Sequence, residues 1–344
     1  MITLEEIREK LDKSTNPLIF FDDDADGVCS FALIYKYLQK GHGVIIKSKP
    51  EIPADPYLRK IDEYDPDLVI ILDKPMAQDE FLDGINCDII WIDHHEPVNK
   101  EQKNIYYYNP VIENRYEPTS TICWRITNAN SWIAMTGTIG DWHYDKGLAE
   151  QTQKDYPDLV KKKYDKAPDI LFNTKIGTLV KIIAFNLKGK LSDVKAAMKI
   201  ITRVEGPDEI LYGTTAPGKF LLKRYKKMNL YYERLKVKAF KAADDSPFLM
   251  MVTPQPQYSF SSELSNEVLY KFPNKVIIVG RSSSGKTKCS VRTALDIDLR
   301  PVIERSVMGI GYGGGHDKAC GICIDEESFD IFLDRFKAGI LELL

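Results

Sequence analysis

Three times in the first hundred residues an uninterrupted apolar run stops at an aspartate: LIFF before Asp22, LVIIL before Asp73 and IIWI before Asp93. Such runs are strand-length, and they alternate with helical stretches such as VCSFALIYKYLQK. The alternation predicts repeated β-α units forming a parallel sheet with helices on both faces. Polar residues then gather at the carboxyl ends of the strands, where open α/β sheets hold their ligands. From about Thr119 to Asp245 the pattern turns mainly helical, with breaks near Pro157, Pro168, Pro207 and Pro217, and Ser246-Pro247 reads as a joint. Beyond it FLMMVT, KVIIVG, KCSVRT and ACGICI alternate with turn residues, and EESFDIFLDRFKAGILELL closes the chain as an amphipathic helix. The expectation is an α/β chain with an N-terminal parallel-sheet domain over residues 1–165, a helical connection over 166–245 and a smaller C-terminal α/β domain over 246–344.

A length of 344 residues suits two domains, and 44% apolar with 28% charged residues argues against a disordered or fibrous chain. No apolar run approaches the roughly 20 residues needed to cross a bilayer, so no membrane span is expected. The opening MITLEEIREKLDK is charged and amphipathic, and reads as a first helix rather than a secretion signal. Six scattered cysteines are too few for a disulfide framework, which fits a reducing compartment and places the protein in the cytoplasm.

The formal charge of −3 argues neither for nor against a polyanionic partner, but the distribution is uneven. Acid is concentrated in Asp22, Asp23, Asp24 and Asp26, whereas Lys219 to Lys241 carries nine basic residues against the single Glu233. That basic segment interleaves Phe220, Tyr225, Tyr231, Tyr232 and Phe240, a combination used by single-strand nucleic-acid grooves. The plainer reading is a connecting helix with a solvated lysine face and an aromatic core stripe.

In DDDADG, Asp22, Asp24 and Asp26 are spaced by two, so their carboxylates can project to one side as the strand runs out, and Gly27 permits a tight turn into a helix. Together with Asp73, Asp93, His94, His95 and Asp141 in TGTIGDW, one end of the sheet would hold at least five carboxylates and two imidazoles. Each pair of like charges about 4 Å apart costs ~4 kcal/mol at an effective dielectric near 20, so several pairs exceed the net stability of a domain. Divalent cations resolve the repulsion. Oxygen ligands with one or two imidazoles suit Mn²⁺ first and Mg²⁺ second, rather than a structural zinc. Two such ions lower the pKa of a shared water and clamp the oxygens of an in-line displacement at phosphorus, which indicates phosphoester hydrolysis. Any one aspartate taken alone would read as a helix cap or turn residue.

FFDDDADG, IILDKP, WIDHHEP and GTIGDW, in that order, resemble the four motifs of the DHH phosphoesterase superfamily, and GYGGGHDKACG resembles the glycine-histidine motif of its associated C-terminal domain. Within that superfamily the chain is most similar to RecJ-like single-strand exonucleases of the short archaeal type. The resemblance implies metal ligands at Asp22, Asp24, Asp26, Asp73, His94 and Asp141, with Asp22 standing where many members have histidine and Asp73 bridging two ions. It implies that Asp93 orients His94 from behind, because a ligating imidazole needs its other nitrogen held, and that His95 faces the scissile phosphate. Gly313, Gly314, Gly315 and His316 would form a loop whose amides approach an oxyanion, and Arg292, with Arg281, would add charge-assisted contacts. Ser120 in EPTST resembles a position near the substrate, which would lie between the domains. The implied partners are single-stranded DNA or RNA and a helicase or replication factor, which would supply binding that extra modules give bacterial RecJ proteins.

Two further patterns read as decoys. GRSSSGKT, residues 280 to 287, satisfies the Walker A spacing after an apolar strand, but the alternating KCSVRT that follows predicts a hairpin turning at Gly285, not the helix a P-loop requires. Cys320 and Cys323 form a CxxC without a second pair at zinc spacing, and an offset of three in a strand sends the two thiols to opposite faces. His143, two residues beyond Asp141, fits either a supporting role at the site or a surface position. The leading functional expectation is a metal-dependent exonuclease on single strands. The next is a small-nucleotide phosphatase or oligonucleotide phosphodiesterase, and the last a catalytically silent replication or repair scaffold, disfavoured because no expected aspartate is missing.

Overall fold

The computed structural model describes residues 2–47, 50–97, 104–254 and 258–344. The chain divides into two compact units, Met1–Tyr225 and Lys226–Leu344.

The first unit begins with α1 (Leu4–Lys13), whose Thr3 and Glu6 form a reciprocal capping box. Next come β1 (Pro17–Asp22), α2 (Ala25–Leu38), β2 (His42–Ile46), β3 (Glu51–Ile52), α3 (Ala54–Tyr64) and β4 (Leu68–Leu72). They are followed by β5 (Met76–Ala77), α4 (Asp79–Asp83), β6 (Asp88–Ile92) and β7 (Ile105–Tyr108). Five of these strands form one parallel sheet in the order β2-β1-β4-β6-β7. The three apolar runs are therefore neighbouring strands, as the alternation predicted. Register sets Phe21 beside Leu72 and Leu72 beside Ile92, so the strands run out at one level.

Side chains alternate across this sheet. Leu18, Phe20, Val69, Ile71, Ile89 and Trp91 face a core with Phe81 and Leu82 of α4. Ile19, Phe21, Ile70, Leu72, Ile90 and Ile92 face a larger core with α2. That larger core is completed by α5 (Thr119–Thr127), α6 (Ser131–Gly140), α7 (Lys146–Asp155), α8 (Ala167–Asn173), α9 (Lys175–Asn186), α10 (Leu191–Ile201) and α11 (Pro207–Tyr212). With both faces covered, the strands can be continuously apolar. The helices α2, α5 and α6 approach closely: a Cβ added at Gly137 would lie 2.6 Å from Ser120 Oγ and 2.8 Å from Cys29 Cβ.

The long α12 (Ala216–Lys241) contains the boundary between the units. Its aromatic residues are spent on packing. Tyr225 lies 5.6 Å from the Phe185 ring, Tyr232 is fully buried against Phe260 at 5.4 Å, and Phe240 meets Phe272 at 5.7 Å. This is the connecting helix with an aromatic core stripe, and it takes those three rings out of any stacking groove.

The second unit continues with β8 (Phe248–Pro254), α13 (Ser261–Lys271), β9 (Val276–Ser283), β10 (Lys286–Arg292), α14 (Leu299–Val307), β11 (Gly311–His316), β12 (Ala319–Asp325) and α15 (Phe329–Leu341). Its sheet is mixed, in the order β11-β12-β10-β9-β8, with only β8 and β9 parallel. One face packs on α14 and α15 through Val302, Ile303, Phe332 and Phe336. The Walker-like segment is the β9-β10 hairpin, turning at Ser284 and Gly285 with φ of 53° and 71°, and no helix follows it. Cys320 faces the core with Ile322 and Ile324, whereas Cys323 lies outside that cluster. Both thiols are free. Among the described residues no helix is long and apolar enough to cross a membrane.

Candidate metal centre

The common level of the strand ends builds the site. Asp22 is the last residue of β1, and Asp73 and Asp93 directly follow β4 and β6. Their amides keep the pairing going for one more step: Asp73 N–H donates to Ile92 O at 3.0 Å, and Asp93 N–H to Tyr108 O at 3.1 Å. Asp73 then adopts φ +60°, a left-handed conformation that aspartate tolerates better than most residues, and is buried.

Asp24 caps α2, its carboxylate accepting from Gly27 N–H at 2.9 Å. Gly27 is required by close approach, because a Cβ there would sit 2.7 Å from Asp22 O. Asp26, in the first turn of α2, is received by the start of α5. Thr119 N–H donates to it at 2.7 Å, Ser120 N–H at 3.0 Å, and the Ser120 hydroxyl donates as well.

His94 stands among three carboxylates. Its Nε2 is 3.0 Å from Asp73 Oδ1 and 4.0 Å from Asp26 Oδ2, and its Nδ1 is 3.6 Å from Asp141 Oδ2. Asp141 ends α6 and accepts the Tyr116 hydroxyl at 2.7 Å. The Tyr116 ring lies 5.2 Å from His94 and 5.3 Å from His143, which ties His143 to the site through that tyrosine.

One expectation is corrected. Asp93 does not hold His94. It takes His95 Nδ1 on Oδ1 at 2.8 Å and the His95 amide on Oδ2 at 3.1 Å, because a carboxylate reaches its own backbone two residues on more readily than the ring next door. A second correction concerns the glycine motif. Gly313, Gly314, Gly315 and His316 lie in the edge strand β11, not in a loop. A Cβ at Gly313 would meet Ile303 at 2.8 Å, while one at Gly314 would meet nothing within 4 Å. Arg292, in the same unit, is largely committed: it donates to Asn266 Oδ1 at 2.9 Å, to Cys320 O at 3.0 Å and to Ser262 Oγ at 3.2 Å.

Three contributors escaped the sequence reading. Lys74 is completely buried, its ammonium 2.9 Å from Asp22 Oδ1. Thr119 joins Ser120 in holding Asp26, and its hydroxyl lies 3.4 Å from Asp73 Oδ1. Tyr116 is the third. The lysine stands next to an expected ligand and could have been suspected; Thr119 and Tyr116 come from a distant segment whose proximity only folding reveals.

The electrostatics are those of a strained anion cluster. Burial, then the Asp24 charge, pushes the Asp22 carboxyl up to about 6 against the opposing pull of Lys74. Burial likewise raises Asp26 to about 6 despite its Ser120 and Thr119 donors. Burial followed by the Asp24 and Asp26 charges raises Asp73 far above the carboxylate range, and burial followed by Asp26 does the same at Asp141. Burial, then His95, lowers His94 to about 4, leaving a neutral imidazole. For His95, burial opposes protonation but the Asp93 hydrogen bond and charge outweigh it, and the value rises.

Divalent cations fit this donor set. Ligand atoms of Asp22, Asp24 and Asp73 lie within 4.8 Å of one another, as do those of Asp73, His94 and His95, so Asp73 is common to two candidate sites. Asp73 Oδ2 and His94 Nδ1 are buried without a hydrogen-bond partner, which is costly unless an ion takes them.

The DHH family N-terminal domain matches over residues 16–159, and the DHHA1 domain over residues 258–342. No curated protein matches the sequence. The fold is similar to that of RecJ in complex with Mn²⁺ from Thermus thermophilus, with a TM-score of 0.71 at 17% identity over 98% of this chain and 55% of that one. This chain therefore spans little more than half of that RecJ. It is also similar to an exonuclease RecJ bound to manganese, with a TM-score of 0.63 at 16% identity, covering 98% and 94%. A pGpG-specific phosphodiesterase from Vibrio cholerae gives a TM-score of 0.57 at 13% identity, covering 95% and 99%. With its aspartates gathered at the strand ends and both domains present in order, the chain belongs to the DHH superfamily and has a RecJ-like fold.

Proposed function

We propose that this protein is a metal-dependent phosphodiesterase acting as an exonuclease on single-stranded DNA or RNA. The observation that carries the reading is the convergence of Asp22, Asp24, Asp26, Asp73, His94 and Asp141 around Asp73 Oδ2 and His94 Nδ1, both buried without a hydrogen bond. Those six residues would hold two divalent cations, Mn²⁺ in first place and Mg²⁺ in second. Bound there, the ions would supply an activated water and charge neutralisation at phosphorus. His95, with Nδ1 fixed on Asp93, has only Nε2 left to offer, and from there it would meet a non-bridging phosphate oxygen. In the second unit Arg292 and the amides of Gly313, Gly314, Gly315 and His316 would bind substrate. The six free thiols favour a reducing, cytoplasmic setting, and a helicase or replication factor remains the proposed protein partner.

The alternative, a phosphodiesterase for small nucleotides or short oligonucleotides, gains from α12: with Tyr225, Tyr232 and Phe240 packed inward, a long aromatic groove along that helix is not supported. Incubating the protein and its Asp24→Ala variant with Mn²⁺ and single strands labelled at either end, as DNA and as RNA, beside a dinucleotide, tests both. A metal-dependent ladder lost in the variant supports the exonuclease. Intact strands with rapid dinucleotide loss support the alternative, and no hydrolysis of anything defeats both in favour of a scaffold.

A further inference from the structure

Helix α6 ends in a Schellman motif. Trp142 N–H donates to Ile139 O at 3.1 Å and His143 N–H to Thr138 O at 3.1 Å, which places Trp142 one residue past the cap Asp141. Its φ is +59°. Glycine is the usual occupant of that position because a Cβ is disfavoured in the left-handed region, and most strongly for bulky side chains. Burial does not compensate Trp142, which remains 41% exposed with a single ring neighbour among the described residues, Phe172, at 6.0 Å. A bulky residue held in a disfavoured conformation and left 41% exposed recovers only part of that strain by packing, and such strain gathers at functional sites.

The location supplies the function. Trp142 directly follows Asp141, whose Oδ2 is 3.6 Å from His94 Nδ1 at the metal centre. Tyr116 donates to the Asp141 carboxylate and is 49% exposed, so one ligand has an exposed aromatic as its hydrogen-bond partner and another as its chain neighbour. Lys181 Nζ lies 5.7 Å from the centroid of the same Phe172 ring, a cation-π contact.

We propose that Trp142 stacks on a nucleobase of the substrate and thereby selects nucleotide phosphodiesters over base-free phosphate esters. The inference rests on the phosphodiesterase reading and deepens it. Every base has a π-face, so an indole platform is tolerant of sequence while requiring that a base be present. Trp142 is a specificity residue; the chemistry stays with the aspartates and His95.

The test compares wild type, Trp142→Gly and Trp142→Phe on a short single strand and on the same strand with abasic residues. Loss of one base stack raises KM for the normal strand about 10- to 100-fold in the glycine variant. Phenylalanine recovers most of that loss, and the constant for the abasic strand moves less than threefold. Because glycine relieves the left-handed strain, its unfolding midpoint does not fall, which a structural role for the indole would require. Equal losses on normal and abasic strands, or a lowered midpoint with unchanged KM, overturn the proposal. A second readout needs no turnover. Trp91 and Trp132 are buried, but Trp124 is only partly so; in a Trp124→Phe background, quenching of protein fluorescence by a hydrolysis-resistant phosphorothioate dinucleotide should therefore report Trp142 and vanish when Trp142→Phe is added. Quenching that survives in that variant sinks the stacking role. Failure of the wild type to cleave any strand sinks only the phosphodiesterase reading, since the quench still decides the fate of Trp142.

Discussion

Lys74 has no solvent exposure, and its ammonium donates to Asp22 Oδ1 at 2.9 Å, placing a fixed cation at the edge of an anion cluster. The lysine is anchored at its other end too, its carbonyl accepting Trp91 Nε1–H at 2.8 Å. An ion pair this enclosed is sensitive to loss of one partner, because the other is left buried and uncompensated.

Replacing Lys74 with methionine should therefore cost the metal-stripped protein about 3 kcal/mol of stability. Mn²⁺ should return more stability to the variant than it adds to wild type, since the ion takes over the neutralisation of Asp22. Urea unfolding of both proteins with chelator and with Mn²⁺ checks this; equal Mn²⁺ increments would show that Lys74 and the ions act on separate charges.

Metal removal by itself should lower the melting temperature of wild type. An ion at about 100 times its Kd contributes about 2.7 kcal/mol per site. Asp73→Asn should abolish most of the Mn²⁺-dependent rise, because Asp73 is common to both candidate ligand groups. A thermal-shift titration that leaves this variant as responsive as wild type would remove Asp73 from the centre.

Asp93→Asn separates the two histidines. Asp93 holds His95 and makes no hydrogen bond to His94, so the variant should keep its Mn²⁺ stoichiometry while kcat falls about 10- to 100-fold. The Asp93 charge raises the His95 pKa, so the basic limb of the kcat profile should move to lower pH in the variant. Loss of bound Mn²⁺ instead would mean that Asp93 serves His94 after all.

Asp67 offers a pH signature far from the metal centre. Although partial burial alone would raise it, donors from Ser14, Thr15 and Asn16 hold its carboxyl down to about 2. A folded-state value below the ordinary carboxylate value means stability that is full above the ordinary range and is lost as pH falls towards 2. Asp67→Asn should cost about 1 kcal/mol at neutral pH, discounted for its solvent-exposed setting, and the difference from wild type should shrink steadily below pH ~4. A difference that does not change with pH would assign the loss to packing instead of charge.

Much of this arrangement was legible in the pattern of residues. An apolar run that stops at an aspartate is a local signal, and three of them sufficed to predict parallel strands with acid at their ends. The Walker-like segment could be dismissed because alternation after Lys286 is equally local. Hydrogen-bond direction was not legible: nothing in WIDHHEP says whether Asp93 turns to His94 or His95. Nor was the docking of the α5 N-terminus onto Asp26, which joins residues 93 and 94 positions apart. The basic, aromatic segment left two readings open because spacing does not reveal which rings face a core, and the plainer one, a connecting helix with an aromatic core stripe, is what the structure has. The glycine run was read as a loop on its resemblance to a motif whose amides approach an oxyanion, yet it is a strand, and pairing with β12 leaves little room for a side chain at Gly313 and Gly315.

The shared level at which β1, β4 and β6 end makes the chain's tolerance to changes in length one-sided. Each residue inserted within one of these strands advances its aspartate by about 3.3 Å and swings it to the opposite face, which dismantles the centre without unfolding the sheet. The turns that enter the same strands, at residues 14–16, 65–67 and 84–87, sit at the far end and carry none of the cluster. Growth or trimming there leaves the carboxylates aligned, so drift in length should be found at the entrances and be absent at the exits.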